Sequence, residues 1–527
     1  MPADARKDSD PSAEKAPHAM DLAAAETPAY DEILKSSALI GGASVLSTII
    51  GIIRTKALAL LLGPAGFGLI GVFGSIADLA RSVAEMGINN SGVRQIAEAV
   101  GSGDTSRIAR TVTVLRRISV ILGSIGALLL IIFCRQIAAL TFGTDQHAVA
   151  IALLSLAVFF RLVADGQGAL LQGMRRIPDL AKIGVLGALF GTVVSIPLVY
   201  FLREDGVVPS LVAIAMMSAV TSWWFSRKVE VERPAMTVTH VKQEVAALLK
   251  FGFAFMANIF LTTGAAYAVR LIVLRASGLE AAGLFQAAWT MGSLYCAYIY
   301  QGIFADFYPR LVGVARDNAR CNRLVNEQTH VTQLLAVPGV IATITFASIL
   351  LTILYSADFR AASEILRWIC LGAALRVITQ PMGFIIVAKG EQALFIGTEL
   401  AWAVVNVGLS WVLVERLGLE GAGIAYFGSY LFYGLMMYPI VRILSGFRWS
   451  AANFKTGLIL LSLITLTFGA FSVLPFSWAM GFGILTTIAS CIYSIRVLLN
   501  HVALERVPKT VRRLLIRLHL VSSGAPH

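Results

Sequence analysis

Apolar residues along this chain come in long unbroken runs, separated by short polar and charged stretches. Runs of about 20 residues are long enough to cross a bilayer as helices. They predict fourteen spans, near 36–62, 66–88, 117–140, 147–171, 180–202, 206–226, 248–274, 279–304, 330–355, 363–388, 392–415, 419–445, 456–474 and 478–499. Before them, residues 1–33 are rich in Ala, Asp, Pro and Lys and predict a disordered cytoplasmic tail. That tail lacks the apolar core of a secretory signal, so the first helix, from near Lys35, is expected to act as its own insertion signal. Residues 501–519 are basic and are expected to lie on the cytoplasmic surface.

The spans repeat. Gly68-Leu69 matches Gly283-Leu284, Arg161 matches Arg376 and Gly168 matches Gly383, each 215 residues apart. Arg54 matches Arg270 and Arg94 matches Arg310 at 216. Small apolar residues align by chance in any membrane protein, but arginines are rare within spans. A shift of six spans keeps both halves pointing the same way, which is a parallel repeat suited to alternating access. The expected fold is all-α: a polytopic membrane protein of two parallel-repeat six-helix bundles plus an appended helix pair. The expected divisions are the tail 1–33, an N-terminal bundle 34–228, a cytoplasmic linker 229–247, a C-terminal bundle 248–446, an extra helix pair 447–500 and a basic tail 501–527.

Composition narrows the class. Hydrophobic residues make up 57% of the 527 and charged residues 14%, and mean hydropathy is +0.76. A soluble domain carries about 25% charged residues, and a disordered chain is poor in apolar ones. Both classes are excluded. The net charge of +12 is read as a topology signal rather than a nucleic-acid footprint. With the N-terminus inside, the cytoplasmic segments hold 27 Lys and Arg and the opposite loops 6, which is the positive-inside bias. The five cysteines and seven histidines form no metal-ligand spacing, so neither metal nor cofactor is expected. The outside loops are too short to carry the chemistry of a membrane-embedded glycosyl-transfer enzyme.

Ionisable residues inside spans are costly and point to function. The basic candidates for binding an anionic substrate are Arg54, Lys56, Arg81, Arg161, Arg270 and Arg376, since a guanidinium binds phosphate in a bidentate way. Asp78, Asp165 and Glu399 are candidates for ion coupling, and Glu85 lies among them. Internal ion pairing is the alternative reading, with Arg161–Asp165 at i, i+4 and Asp78–Arg81 at i, i+3. Pro197, Pro338 and Pro381 fall inside spans, where each removes a helix hydrogen bond. Tyr426, Tyr430 and Tyr433 stripe one span at helical spacing and are read as packing or interface anchors rather than a sugar platform.

Four segments carry a family resemblance: LLGPAGFGLIG (61–71), GINNSGVRQIAEA (87–99), FYPRL (307–311) and GFIIVAKGEQALFIGTEL (383–400). In that order and spacing the chain, over roughly 35–445, resembles the Wzx-type lipid-linked oligosaccharide flippases, or O-antigen translocases. Those belong to the multidrug/oligosaccharidyl-lipid/polysaccharide exporter superfamily. The resemblance implies a transporter for an undecaprenyl-diphosphate-linked oligosaccharide in a bacterial inner membrane, with both termini cytoplasmic. It implies membrane lipids and polysaccharide polymerase machinery as partners, and no nucleic acid. Lys56 matches a basic residue the family carries seven residues before the Gly of the GPAG turn. Arg54 matches a basic position of related lipid-diphosphate flippases, and Glu399 an acidic position after the AK segment. The last two spans depart from the twelve usual in Wzx-type proteins; peptidoglycan-lipid flippases have fourteen. The rival readings are a multidrug cation antiporter of the same superfamily and a membrane-embedded O-antigen polymerase or ligase.

Overall fold

The computed structural model describes residues 19–229, 238–302 and 307–501. Fifteen α-helices follow in order: α1 (Ala19–Glu85), α2 (Ile88–Ser102), α3 (Thr105–Ile132), α4 (Cys134–Phe142), α5 (Ala148–Gly173), α6 (Ile177–Leu202), α7 (Val207–Ser226), α8 (Val238–Gly302), α9 (Tyr308–Gly313), α10 (Asn318–Leu354), α11 (Ser363–Ala388), α12 (Gln392–Leu417), α13 (Leu419–Ser445), α14 (Ala451–Val473) and α15 (Phe476–His501). No strand occurs among the described residues. The expected tail is helical from Ala19 onward, and its residues 1–18 lie outside the described residues. So do 230–237 of the expected linker and the basic tail from 502.

Among the described residues, eleven helical stretches are long and apolar enough to cross a membrane. Three of them, Gly41–Glu85, Ile177–Ser226 and Met256–Leu294, are of double length. Each breaks once, at Gly63 in α1, at Gly278 in α8 and at the turn Arg203–Gly206 between α6 and α7. Divided there, the stretches give fourteen crossings, as the hydropathy predicts. Gly63 (φ 64°, ψ −173°) and Gly278 (φ 83°, ψ −177°) adopt a backbone geometry that is close to glycine-only.

These breaks place the repeat on backbone geometry. Gly63 and Gly278 are 215 residues apart, and so are the left-handed Arg175 and Gly390, and Arg203 and Gly418. Helices α5 and α11 each have 26 residues and start 215 apart, as do α6 and α12. Arg161 and Arg376 are therefore strictly equivalent. Arg54 and Arg270 are not: they stand nine and eight residues before their respective glycine breaks. One residue of slip turns a side chain about 100° around a helix.

The cores exchange residues by the same rule. Ala59 and Phe67 of the N-terminal half pack in the core of the C-terminal half. Their repeat partners, Leu274 and Ala282, pack in the core of the N-terminal half. Phe67 meets Tyr355 and Phe359 edge-on at 5.4 and 5.6 Å. Helices α14 and α15 pack on α10, outside the repeat.

Hydropathy missed the helical starts beyond the apolar window. Helix α3 begins at Thr105 and α10 at Asn318, because Asp104 and Asp317 cap them. Asp104 accepts from the Arg107 amide at 2.8 Å, and that bond and the Ser106 hydroxyl hold its carboxyl below the usual range. Asp317 accepts from the amides of Ala319 (3.0 Å) and Arg320 (3.1 Å). Asp317→Ala is expected to cost about 1 kcal/mol at this helix start. Faster hydrogen exchange confined to the amides of 319–321 checks it; uniform exchange along α10 would contradict it.

Candidate functional site

The two halves meet closely at the end marked by Gly63 and Gly278. A Cβ added at Gly283 would fall 1.8 Å from the Pro64 carbonyl oxygen, and one at Gly68 would fall 2.3 Å from that of Leu279. These four residues are two repeat pairs, Pro64 with Leu279 and Gly68 with Gly283, so the contact is reciprocal across the pseudo-two-fold axis. Hydrogen bonds joining the halves gather at the same end. Arg275 donates to the carbonyls of Ala139 and Leu140, both at 2.7 Å. Thr141 and Tyr267 share a bond of 2.7 Å. Lys56 Nζ donates to the Ile353 carbonyl at 2.7 Å. The structure thus sets Lys56 in this closure, apart from the other candidate cations.

Away from that closure the N-terminal half gathers Arg54, Arg81, Glu85, Arg161 and Asp165. One nitrogen of Arg81 donates to both Glu85 (3.1 Å) and Asp165 (3.0 Å). Its Nε is buried with no partner. Arg54 and Arg161 lie within electrostatic reach of each other, and Glu85 lies within reach of Arg161. The ion pairs expected from helical spacing are replaced: Asp165 reaches across helices to Arg81 rather than along its own helix to Arg161. Glu85, rather than Asp78, is the intrahelical partner of Arg81. Asp78 is exposed and lies within electrostatic reach of Arg81 and of Arg270 on the opposite half. Arg270 donates to Gln286 (2.9 Å) and to the Ala266 carbonyl (3.1 Å).

The C-terminal half encloses a cavity of about 290 Å³ between α8, α11, α12 and α13. Arg376 and Glu399 both line it. Glu399 accepts from the Tyr433 hydroxyl at 3.2 Å and lies within reach of Arg376. The Arg376 guanidinium sits 5.5 Å from the Tyr430 ring centre. Trp289, Trp402, Tyr430 and Tyr433 supply aromatic walls, and Asn258, Gln380 and Asn406 supply amides. Sequence reasoning found Arg376 and Glu399 but missed the tryptophans and amides. The available signal was three amide side chains within apolar spans. Tyr430 and Tyr433, read as packing anchors, are packed in the core and also line this cavity, whose other walls come from helices distant in sequence. Across both halves, five arginines and four carboxylates, Asp78, Glu85, Asp165 and Glu399, lie on the apolar spans. Among the described residues no group of His, Cys, Asp and Glu is placed to hold a metal ion.

Two repeat-related bundles closed at one end, with charged groups along the facing spans, define the architecture of an alternating-access membrane transporter. Residues 57–364 match the family described as polysaccharide biosynthesis protein, and the chain belongs to that family. It is 20% identical over 390 residues to a lipid III flippase of Escherichia coli (strain K12), covering 73% of this chain and 92% of the relative. It is 23% identical over 369 residues to the succinoglycan biosynthesis transport protein ExoT of Rhizobium meliloti (strain 1021), covering 70% of this chain and 69% of the relative. Two solved structures share the fold. An inward-facing multidrug resistance transporter of the MATE family in the MOP superfamily matches with TM-score 0.63 at 18% identity, over 76% of this chain and 95% of its own. The lipid II flippase MurJ, inward closed, also matches with TM-score 0.63, at 14% identity, over 87% of this chain and 99% of its own.

Proposed function

We propose that this protein is a flippase that carries an undecaprenyl-diphosphate-linked oligosaccharide from the cytoplasmic to the periplasmic leaflet of a bacterial inner membrane. The observation that carries this reading is the intramembrane zone of Arg54, Arg81, Arg161, Arg270 and Arg376. It is net positive, and it lies on two repeat-related bundles. With the N-terminus cytoplasmic, the closed end at Gly68 and Gly283 is the periplasmic one. The site is then positioned to receive substrate from the cytoplasmic side. Lys56 serves the closure in this reading, and the five arginines serve the diphosphate.

The direction agrees with the membrane field. A potential of 100 mV, inside negative, is worth about 2.3 kcal/mol per charge, so a headgroup with two negative charges is drawn outward. Asp78, Asp165 and Glu399 are the groups on which a coupled proton or sodium ion would act. Of these, Asp165 is tied to Arg81, and Glu399 is held by Tyr433 beside Arg376. Polysaccharide polymerase machinery is the partner that would take up the flipped unit.

A liposome assay with undecaprenyl-diphosphate oligosaccharide tests the reading. Wild type is expected to flip the lipid, with Arg161→Ala and Arg376→Ala each slower by about tenfold at equal folded protein, the loss of one charge-assisted contact. Variants that flip like wild type would make the arginines structural. Wild type that is inert here but moves a cationic dye would make the protein a multidrug antiporter.

A further inference from the structure

The cavity in the C-terminal bundle has a chemistry the arginines do not explain. Diphosphate recognition needs donors and positive charge, yet most of this wall is flat aromatic surface and amide. The rings of Trp402 and Tyr430 are 5.5 Å apart, and those of Tyr430 and Tyr433 6.1 Å. Two lining residues carry an enclosed polar atom without a hydrogen-bond partner: the indole Nε1 of Trp402, a residue only 7% exposed, and the side-chain oxygen of Asn258. Buried polar atoms are normally paired, and an unpaired one weakens the fold. Both residues line the cavity, so a polar ligand bound there can supply partners that the fold itself does not.

The walls fit one kind of ligand. A sugar ring carries apolar C–H faces, which stack on aromatic rings, and hydroxyls around its rim, which take amide, indole and carboxylate partners. A cationic aromatic drug would call for an uncompensated carboxylate. Glu399, the one carboxylate here, is already met by Tyr433 and lies beside Arg376. Gly383 belongs to the same arrangement: a Cβ at that position would come within 2.9 Å of the Tyr433 hydroxyl. The cavity, about 290 Å³, lies at the small end of ligand pockets. It suits a ring or two rather than a whole repeat unit.

We propose that this cavity is a saccharide subsite that holds the sugar closest to the diphosphate, with Arg376 at the junction of the two groups. This rests on the flippase reading for the identity of the lipid carrier. It makes Trp402, Asn258, Tyr430 and Tyr433 the residues that select among saccharides. The arginines of the N-terminal half and Arg270 read the diphosphate, which every such carrier shares.

The test is equilibrium binding to the full chain in nanodiscs. The probes are bare undecaprenyl diphosphate, the same carrier bearing a disaccharide, and a panel of free hexose and N-acetylhexosamine disaccharides. The chains are wild type, Trp402→Phe, which keeps a ring and removes the N–H, and Asn258→Leu, each matched to wild type in thermal unfolding. Wild type is expected to bind the sugar-bearing carrier about tenfold more tightly than the bare one, the effect of satisfying one open polar group. Each variant is expected to reduce that ratio to about twofold while bare-carrier binding stays unchanged. Equal binding of both carriers by wild type, or an unchanged ratio in both variants, overturns the subsite and leaves the carrier reading standing. Free disaccharide binding that the variants weaken, with neither carrier bound, supports the subsite and removes the flippase reading. Binding of no probe at all overturns both.

Discussion

Arg81→Leu is expected to destabilise the protein by about 3 kcal/mol, the low end for breaking a buried ion pair. The side chain is 26% exposed, and those of its partners Glu85 and Asp165 are 11% and 30% exposed. One nitrogen serves two carboxylates, so its loss leaves both anions uncompensated at once. The partial exposure keeps the cost from rising further, because water at the cavity screens what remains. Thermal unfolding in detergent reads the loss directly. Adding Asp165→Leu and Glu85→Leu is expected to restore most of it, since an apolar cluster of similar volume is often as stable as the ion cluster it replaces. The restored triple variant should still fail to flip. That combination separates holding helices together from holding a headgroup. A triple variant as unstable as Arg81→Leu alone would mean that packing, rather than charge, gives the site its strength.

The charge pattern shows how far a single sequence can be read. The number of crossings follows from apolar runs, because a bilayer imposes a length on each helix. The parallel repeat follows from its arginines, and the structure places it on the glycine breaks at 63 and 278. Neither inference needs knowledge of which helices touch. The pairing of Arg81 does. Spacing along one helix suggests Asp78 for Arg81 and Asp165 for Arg161, but the partner chosen, Asp165 for Arg81, is 84 residues away across helices. Lys56 shows the same limit. It lies two residues from Arg54, but the two are about 160° apart around the helix. One faces the cluster and the other meets Ile353 in the closure. The aromatic cavity was hidden for a related reason. Tyr430 and Tyr433 form a stripe that any packed helix could carry. Their role depends on Trp402, Trp289 and Asn258, which arrive from other segments.

Gly283→Ala is expected to have the larger effect on conformation, because the obstacle is backbone rather than a movable side chain. The added methyl would sit 1.8 Å from the Pro64 carbonyl oxygen, so α1 and α8 must part at the closure. Gly68→Ala meets the Leu279 carbonyl oxygen at 2.3 Å and should act in the same direction, though less strongly. Parting costs only the closed state; the state open at this end has no such contact. The substitution therefore shifts a two-state equilibrium, and about 5.5 kcal/mol suffices to invert it from 1:99 to 99:1. Flipping should fall by about a hundredfold, since a carrier held open on one side cannot reload from the other. The direct measurement uses Thr290→Cys, an exposed position on α8 bonded to Gln286 beside Arg270, in a chain whose native cysteines are replaced, with a membrane-impermeant thiol reagent added from the periplasmic side. Labelling is expected to be slow with Gly283 and fast with Gly283→Ala. Fast labelling from the cytoplasmic side alone in both chains would show that the glycine contact does not close the pathway. Faster labelling by Gly283→Ala from the cytoplasmic side, and not the periplasmic, would keep the closure but reverse the orientation drawn from the lysine and arginine bias.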